Sequence, residues 1–195
     1  MKQKKTLVLL LMSFFVASTS LLANDYNSID NVEFYGVDFS QCHVIGAKET
    51  EPQLKLAFNK INDLFIREAS KYNVSKYIMR PIGSIRLEEV RKRNASMQSF
   101  LSYSKTIKMM PQEEFEAYIQ SFTFKDEEGQ ALIILCDVLD KFEGVGLYHY
   151  VFVDKSDHKI LFDVRVSGHS GGFGLRNYWA RSLYNSLKNF KFRVY

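Results

Sequence analysis

Cysteine is scarce in this 195-residue chain, with Cys42 and Cys136 the whole supply. Two cysteines make no disulfide scaffold. Together with His43, His149, His158 and His169 they show no paired metal-ligand spacing, so no metal and no other cofactor is expected. We read the two as separate buried thiols, with a bridge as the alternative in an oxidising compartment, because a domain of this size needs no staple. After the first 23 residues the sequence has no apolar stretch of membrane-spanning length. The one glycine-rich loop is not followed by Lys-Ser/Thr, which argues against a P-loop, and its glycine spacing misses the dinucleotide fingerprint. No two carboxylates stand out as a buried acid–base pair. Repeats, low-complexity tracts and interdomain linkers are missing too, which points to one domain.

What is present begins with a leader. Lys2, Lys4 and Lys5 are followed by an apolar run from Leu7 to Val16, then small and polar residues as far as Ala23. That three-part build predicts a signal peptide over 1–23 that is cut after Ala23, leaving a periplasmic or secreted protein with no stable membrane span. No Cys follows the apolar run closely, which argues against a lipid anchor. Removal of residues 1–23 takes three Lys and no acid, leaving 23 basic against 22 acidic residues and a net charge of +1. Such a balance offers no electrostatic case for nucleic acid or for an anionic membrane.

Residues 24–31 are polar and read as a flexible lead-in. Val32 to Phe39 reads as a first strand. Thr50, with Pro52 in the first turn and Gln53 three residues on, forms a capping-box pattern. Leu54, Ala57, Phe58, Ile61, Leu64 and Phe65 then recur at helical steps, predicting a helix over about 51–71. Tyr77 to Ile82 reads as a strand that Pro81 confines to an edge or an end. Ser84 reads as the cap of a helix to about Asn94, with Glu88/Lys92 and Glu89/Arg93 as i,i+4 pairs. Residues 97–109 fit either extended chain or strand, and Pro111 starts a short helix carrying Phe115, Tyr118, Ile119 and Phe122. Ala131 to Leu139 is apolar on both faces, which predicts a central covered strand. Leu147 to Val153 follows, aromatic on one face through Tyr148, Tyr150 and Phe152. Ile160 to Val166 comes next, with Ile160, Phe162, Val164 and Val166 on one face. A loop over 168–174 leads to a last helix over 176–189, with Trp179, Leu183, Leu187 and Phe190 on one side. The order predicts an α/β (α+β) domain over 32–195: a mixed sheet of about four to five strands with helices packed on its faces.

That order resembles a periplasmic α/β fold of curli-secretion lipoproteins, penicillin-binding-protein activator lipoproteins and the N-terminal domain of the Tol translocation protein. Ile85-Arg86-Leu87-Glu88-Glu89-Val90 is similar to their strand followed by an Arg-start helix. The chain departs from them in lacking a lipidation Cys, which argues against an anchored role. Gly171-Gly172-Phe173-Gly174-Leu175-Arg176-Asn177-Tyr178-Trp179-Ala180 resembles the C-terminal signature of uncharacterised exported proteins of Bacteroidetes, as does Ile61-Asn62-Asp63-Leu64-Phe65-Ile66. The resemblances imply export and assembly or scaffold work in the envelope.

Among chemical candidates, the loop from Gly168 to Gly174 stands out. A glycine-rich turn between strand and helix can offer backbone N–H groups to an anion, with Arg176 as a charged donor, or can simply be a tight connection needing positive φ. We name Gly171, Gly172, Phe173, Arg176 and Asn177 as the candidate binding residues, with Phe173 either plugging the core or standing out as a partner anchor. Cys136 with His149 or His169 is the only nucleophile pair to consider. Cys136 lies in the most apolar run, where a thiol is inert packing. His149 reads as structural, and Asp137 as a partner for Arg165 or a cap for a neighbour. No catalytic residues are assigned. The expectation is a non-enzymatic envelope protein working through a protein partner, with a small-ligand or anion binder using 168–177 as the alternative.

Overall fold

The computed structural model describes residues 26–103 and 109–194. In chain order its elements are β1 (Val32–Asp38), β2 (His43–Ile45), α1 (Glu51–Asn62), α2 (Leu64–Arg67), α3 (Val74–Ile78), β3 (Ile82–Ile85), α4 (Glu88–Ser96), β4 (Leu101–Ser102), α5 (Gln112–Gln120), β5 (Gln130–Asp140), β6 (Val145–Asp154), β7 (Ile160–His169) and α6 (Leu175–Val194). The sheet is mixed, as expected, but has seven strands among the described residues rather than four to five. The excess is explained by segmentation. β6 pairs antiparallel along the whole of β5, so the other edge of β5 takes β1 at Gln130–Leu135 and then β2 at Val138–Asp140, both parallel. β3 and β4 likewise extend β1 and β2 outward. Seven segments therefore fill five positions across the sheet.

β5 is the central strand its apolar run predicts, with Ala131, Leu132, Ile133 and Ile134 all fully buried. One face of the sheet holds the larger core, where α1, α3 and α6 cover Phe34, Tyr148, Tyr150 and Phe152. The other face holds a smaller core of Tyr35, Ile133 and Val151 under Val90 of α4 and Phe115 and Ile119 of α5. In β7, Val153 pairs with Ile160 and Phe152 with Phe162, so Leu161 is an extra residue. That bulge turns Ile160 to the smaller core and brings Leu161 to the larger one, correcting the single-face reading of the strand.

Local chemistry overrode several sequence expectations. The stretch read as a flexible lead-in packs from Tyr26 onward, with Tyr26 and Ile29 buried. Arg80 holds it, donating Nε–H to the Ile29 carbonyl at 2.6 Å and Nη2–H to the Tyr26 carbonyl at 2.9 Å. Residues 77–78 are helical rather than extended. Asn73 caps α3 by accepting the Lys76 N–H at 2.9 Å, and Met79 closes it in the left-handed region. The strand begins only after Pro81, on the sheet edge. Ser84 caps nothing and instead donates to Glu33 at 2.6 Å, while α4 does carry the Arg93–Glu89 pair at 2.8 Å. The Thr50 N–H donates to the Gln53 side chain at 2.9 Å, as the capping pattern predicts, but the long helix breaks at Asp63, whose carboxylate Arg91 holds at 2.6 Å. Of the ambiguous stretch 97–109, Leu101–Ser102 is strand, and 104–108 lie outside the described residues, as does the signal peptide expected over 1–23.

Two buried asparagines finish the sheet edge. Beyond Phe34 the outer neighbour of β1 has ended, leaving Val37 with free backbone groups. Asn62 accepts the Val37 N–H and donates to its carbonyl, both at 2.8 Å. Asn94 donates to the same carbonyl at 3.1 Å and accepts the Phe39 N–H at 2.6 Å. Each carboxamide thus does the work of a missing strand.

Candidate functional site

The glycine-rich connection is shorter than the sequence suggests. Gly168 and His169 belong to β7, and the loop proper runs from Ser170 to Gly174. Gly168 faces Gly146 across the β6–β7 ladder, and Ser182 of α6 donates its hydroxyl to the Gly168 carbonyl at 2.8 Å. A Cβ on Gly168 would lie 2.0 Å from the Ser182 carbonyl oxygen. The close seating of α6 on the sheet depends on that bare backbone.

The loop is tied down from behind. Ser170 N–H donates to the Gly144 carbonyl at 2.8 Å, Gly171 N–H to Tyr178 at 3.2 Å, and Tyr178 N–H to Gly174 at 2.9 Å. Asn177 Nδ2 donates to the Phe173 carbonyl at 3.0 Å, and its Oδ1 accepts from Arg176 at 2.6 Å. Gly172, at φ 101°, makes the turn that leaves Phe173 at the tip. The Phe173 ring is 97 % exposed, the most exposed large apolar side chain among the described residues. It stands out; it does not plug the core.

Phe173 borders a cleft of about 330 Å³ between the loop, α6 and the end of α2. Gly171, Gly172 and Asn177 line it too, so four of the five candidate residues come together. The fifth does not: Arg176 faces a neighbouring hollow with Lys60, Asp63 and Arg67. The cations of the Phe173 cleft are instead Lys71, Arg181 and Lys188, against one acid, Glu68, 3.9 Å from Lys71. Lys71 Nζ lies 5.1 Å from the Tyr72 ring centroid and 5.5 Å from that of Tyr184, which Lys188 also approaches at 5.7 Å. Burial pushes the Tyr72 hydroxyl up to about 12, so it is neutral and a donor at ordinary pH. Arg181, Tyr184 and Lys188 follow one another at three- and four-residue steps on the face of α6 away from its core side. The three- and four-residue spacing of that stripe is visible in the sequence, but nothing local marks it as part of a cleft. A second hollow shares Lys188 and continues the face past Lys76, Tyr77 and Lys191 to Phe192, which is 73 % exposed.

The nucleophile pair is not assembled. Cys136 pairs with Tyr148 on β6 while His149 pairs with Leu135, so the two side chains leave opposite faces of the sheet. His149 stacks on Phe115 at 4.6 Å, and its Nε2 lies 2.9 Å from Asp163; its Nδ1 is buried without a partner among the described residues. His169 lies three residues beyond Val166, the residue in line with Cys136, which is about 10 Å along the strand. Asp137 does hold Arg165, at 2.9 Å.

Sequence reading also missed a buried acid, Asp38, at the end of β1. Burial raises its pKa, although Tyr118 donates its hydroxyl to it and the Ser40 N–H donates at 2.7 Å. The carboxyl is buried, and Arg93 lies over the Tyr118 ring at 5.2 Å from its centroid. Among the described residues no three His, Cys, Asp or Glu side chains are grouped to hold a metal, and no helix is long and apolar enough to cross a membrane. Compared with protein-family models and with curated proteins, the chain matches none.

Proposed function

We propose that this is a non-enzymatic protein of the cell envelope that binds an acidic segment of a partner protein at the Phe173 cleft. The observation that carries the reading is Phe173 itself. A fully exposed aromatic on a loop fixed by its own hydrogen bonds is costly in water and useful as an anchor, since its position is set before binding. Lys71, Arg181 and Lys188 supply the charge an acidic chain would meet, and the rings of Tyr72 and Tyr184 hold two of those cations in place. The basic start and apolar run within residues 1–23, read as a signal peptide, support an envelope location.

A photo-crosslinking phenylalanine derivative in place of Tyr184, in cells making the full chain, tests this. The expected result is one discrete adduct that disappears with Phe173→Ala and with Arg181→Glu, while both variants melt within a few degrees of the parent. Adducts that persist in both stable variants would end the proposal. The three cations also favour a second reading, a small anionic ligand in the same cleft. Inorganic phosphate raising the melting temperature of the parent but not of Arg181→Glu would support that reading instead. Arg176 bonds Asn177 and does not itself line the cleft.

A further inference from the structure

The two cysteines stand 94 residues apart in the chain, yet the fold places their sulfurs 3.4 Å from each other. This follows from how β1 and β2 share one edge of β5. Asp38 pairs with Leu135 and His43 with Val138, so four residues, 39–42, span a gap that β5 crosses with two, Cys136 and Asp137. A turn closed by the Cys42 N–H on the Phe39 carbonyl at 2.9 Å takes up the slack and delivers Cys42 over Cys136. The β5–β6 register slips at the same place, between Cys136 and Val138. Both thiols are buried among apolar residues of the larger core, with 1 % of each exposed. Both thiols are free and buried, as the sequence reading has them, but they are neighbours.

We propose that Cys42 and Cys136 form a modification site, an intramolecular disulfide that closes when the protein meets a low-molecular-weight disulfide oxidant. The sulfurs need approach by only about 1.4 Å to reach bonding distance, within the reach of side-chain rotation. In the reaction one cysteine thiolate attacks the oxidant's disulfide, forming a mixed disulfide and expelling one small thiolate. The second cysteine thiolate then attacks the protein sulfur of that mixed disulfide and expels the other. Two protein thiols lose two protons and two electrons, and one small disulfide becomes two small thiols. Burial holds the Cys136 thiol well above its ordinary pKa, and the facing Cys42 adds to this. Closure is therefore fast while the chain folds and slow once the core has shut. The bond would pin the interruption between β1 and β2 to the central strand, closing a 94-residue span.

The test uses the full chain purified with reductant, unfolded, and refolded in a glutathione buffer weighted to its disulfide. Acid quenching, alkylation in denaturant and intact-mass measurement follow. The expected product is a monomer two hydrogens lighter than the reduced chain, with no alkyl group attached, whose melting temperature falls by several degrees on reduction. Two alkylated thiols, glutathione adducts or a disulfide-linked dimer as the main product would each overturn the proposal. Cys42→Ser and Cys136→Ser should melt at the same temperature with and without reductant. If either variant fails to fold, the mass of the parent chain decides alone.

Discussion

At the scale of single residues, two glycines of the candidate loop region do different work, and their substitutions separate it. Gly168 is needed for space, since an added Cβ would sit inside the contact radius of two backbone atoms of α6. Gly172 is needed for its φ of 101° alone, because the nearest atom to an added Cβ is 3.7 Å away. Gly172→Ala should cost about 1 kcal/mol. Gly168→Ala forces α6 off the sheet and should cost about 2–3 kcal/mol. Urea denaturation of both variants reads the order directly, and equal losses would mean that α6 yields where the geometry says it cannot.

At the scale of elements, the end of β1 depends on helices rather than on a neighbouring strand. Asn62 closes α1 and Asn94 lies near the end of α4, so the two helices are held to the edge by the same amides that satisfy it. Asn62→Leu keeps the branched heavy-atom shape but leaves the Val37 N–H without its acceptor in a fully buried setting. The expected loss is about 2–3 kcal/mol in urea, with faster amide exchange at Val37 than at Phe34. A residue that reads as the polar end of an amphipathic helix thus fixes where the sheet stops.

At the scale of the whole molecule, one charged network joins the start of β1, the β3 edge and the turn after β6. Burial alone would raise the Glu33 pKa, but hydrogen bonds from Ser84, Lys155 and Arg86 outweigh it and hold it at about 2 against an ordinary 4.5. Lys155 is itself 3 % exposed and also reaches Asp126. A depressed carboxylate stabilises the fold at every pH above its unfolded value, and that contribution is lost as pH falls from 4.5 through about 2. Glu33→Gln should therefore lower stability at neutral pH by about 1–2 kcal/mol once solvent screening is allowed for, leaving Lys155 with Asp126 as its one charged partner, and should flatten the acid limb of the stability curve. Chemical denaturation repeated across that window measures both effects, and an unchanged acid limb would show that Glu33 is not the group responsible.

Periodicity alone determined much of this protein. The apolar run at 131–139 had to be a covered strand, the aromatic alternation at 148–152 had to face one core, and the spacing of Trp179, Leu183, Leu187 and Phe190 had to bury one side of a helix, because burial is set by where apolar atoms fall along a regular element. The glycine-rich loop was legible as a place to look, whereas the pairing of Asp137 on β5 with Arg165 on β7, across the intervening β6, was only one of two options the sequence offered. Whatever depends on contacts distant in sequence was decided only by the tertiary structure. Nothing near Asn62 announces that its partner is Val37, nothing near Tyr26 announces Arg80, and nothing in a span of 94 residues places Cys42 on Cys136. The same holds for the candidate site. Phe173 and its glycines are local, but Lys71 and Tyr72 reach the cleft only because α1 and α6 pack against each other on one face of the sheet, and that packing is a property of the assembled core.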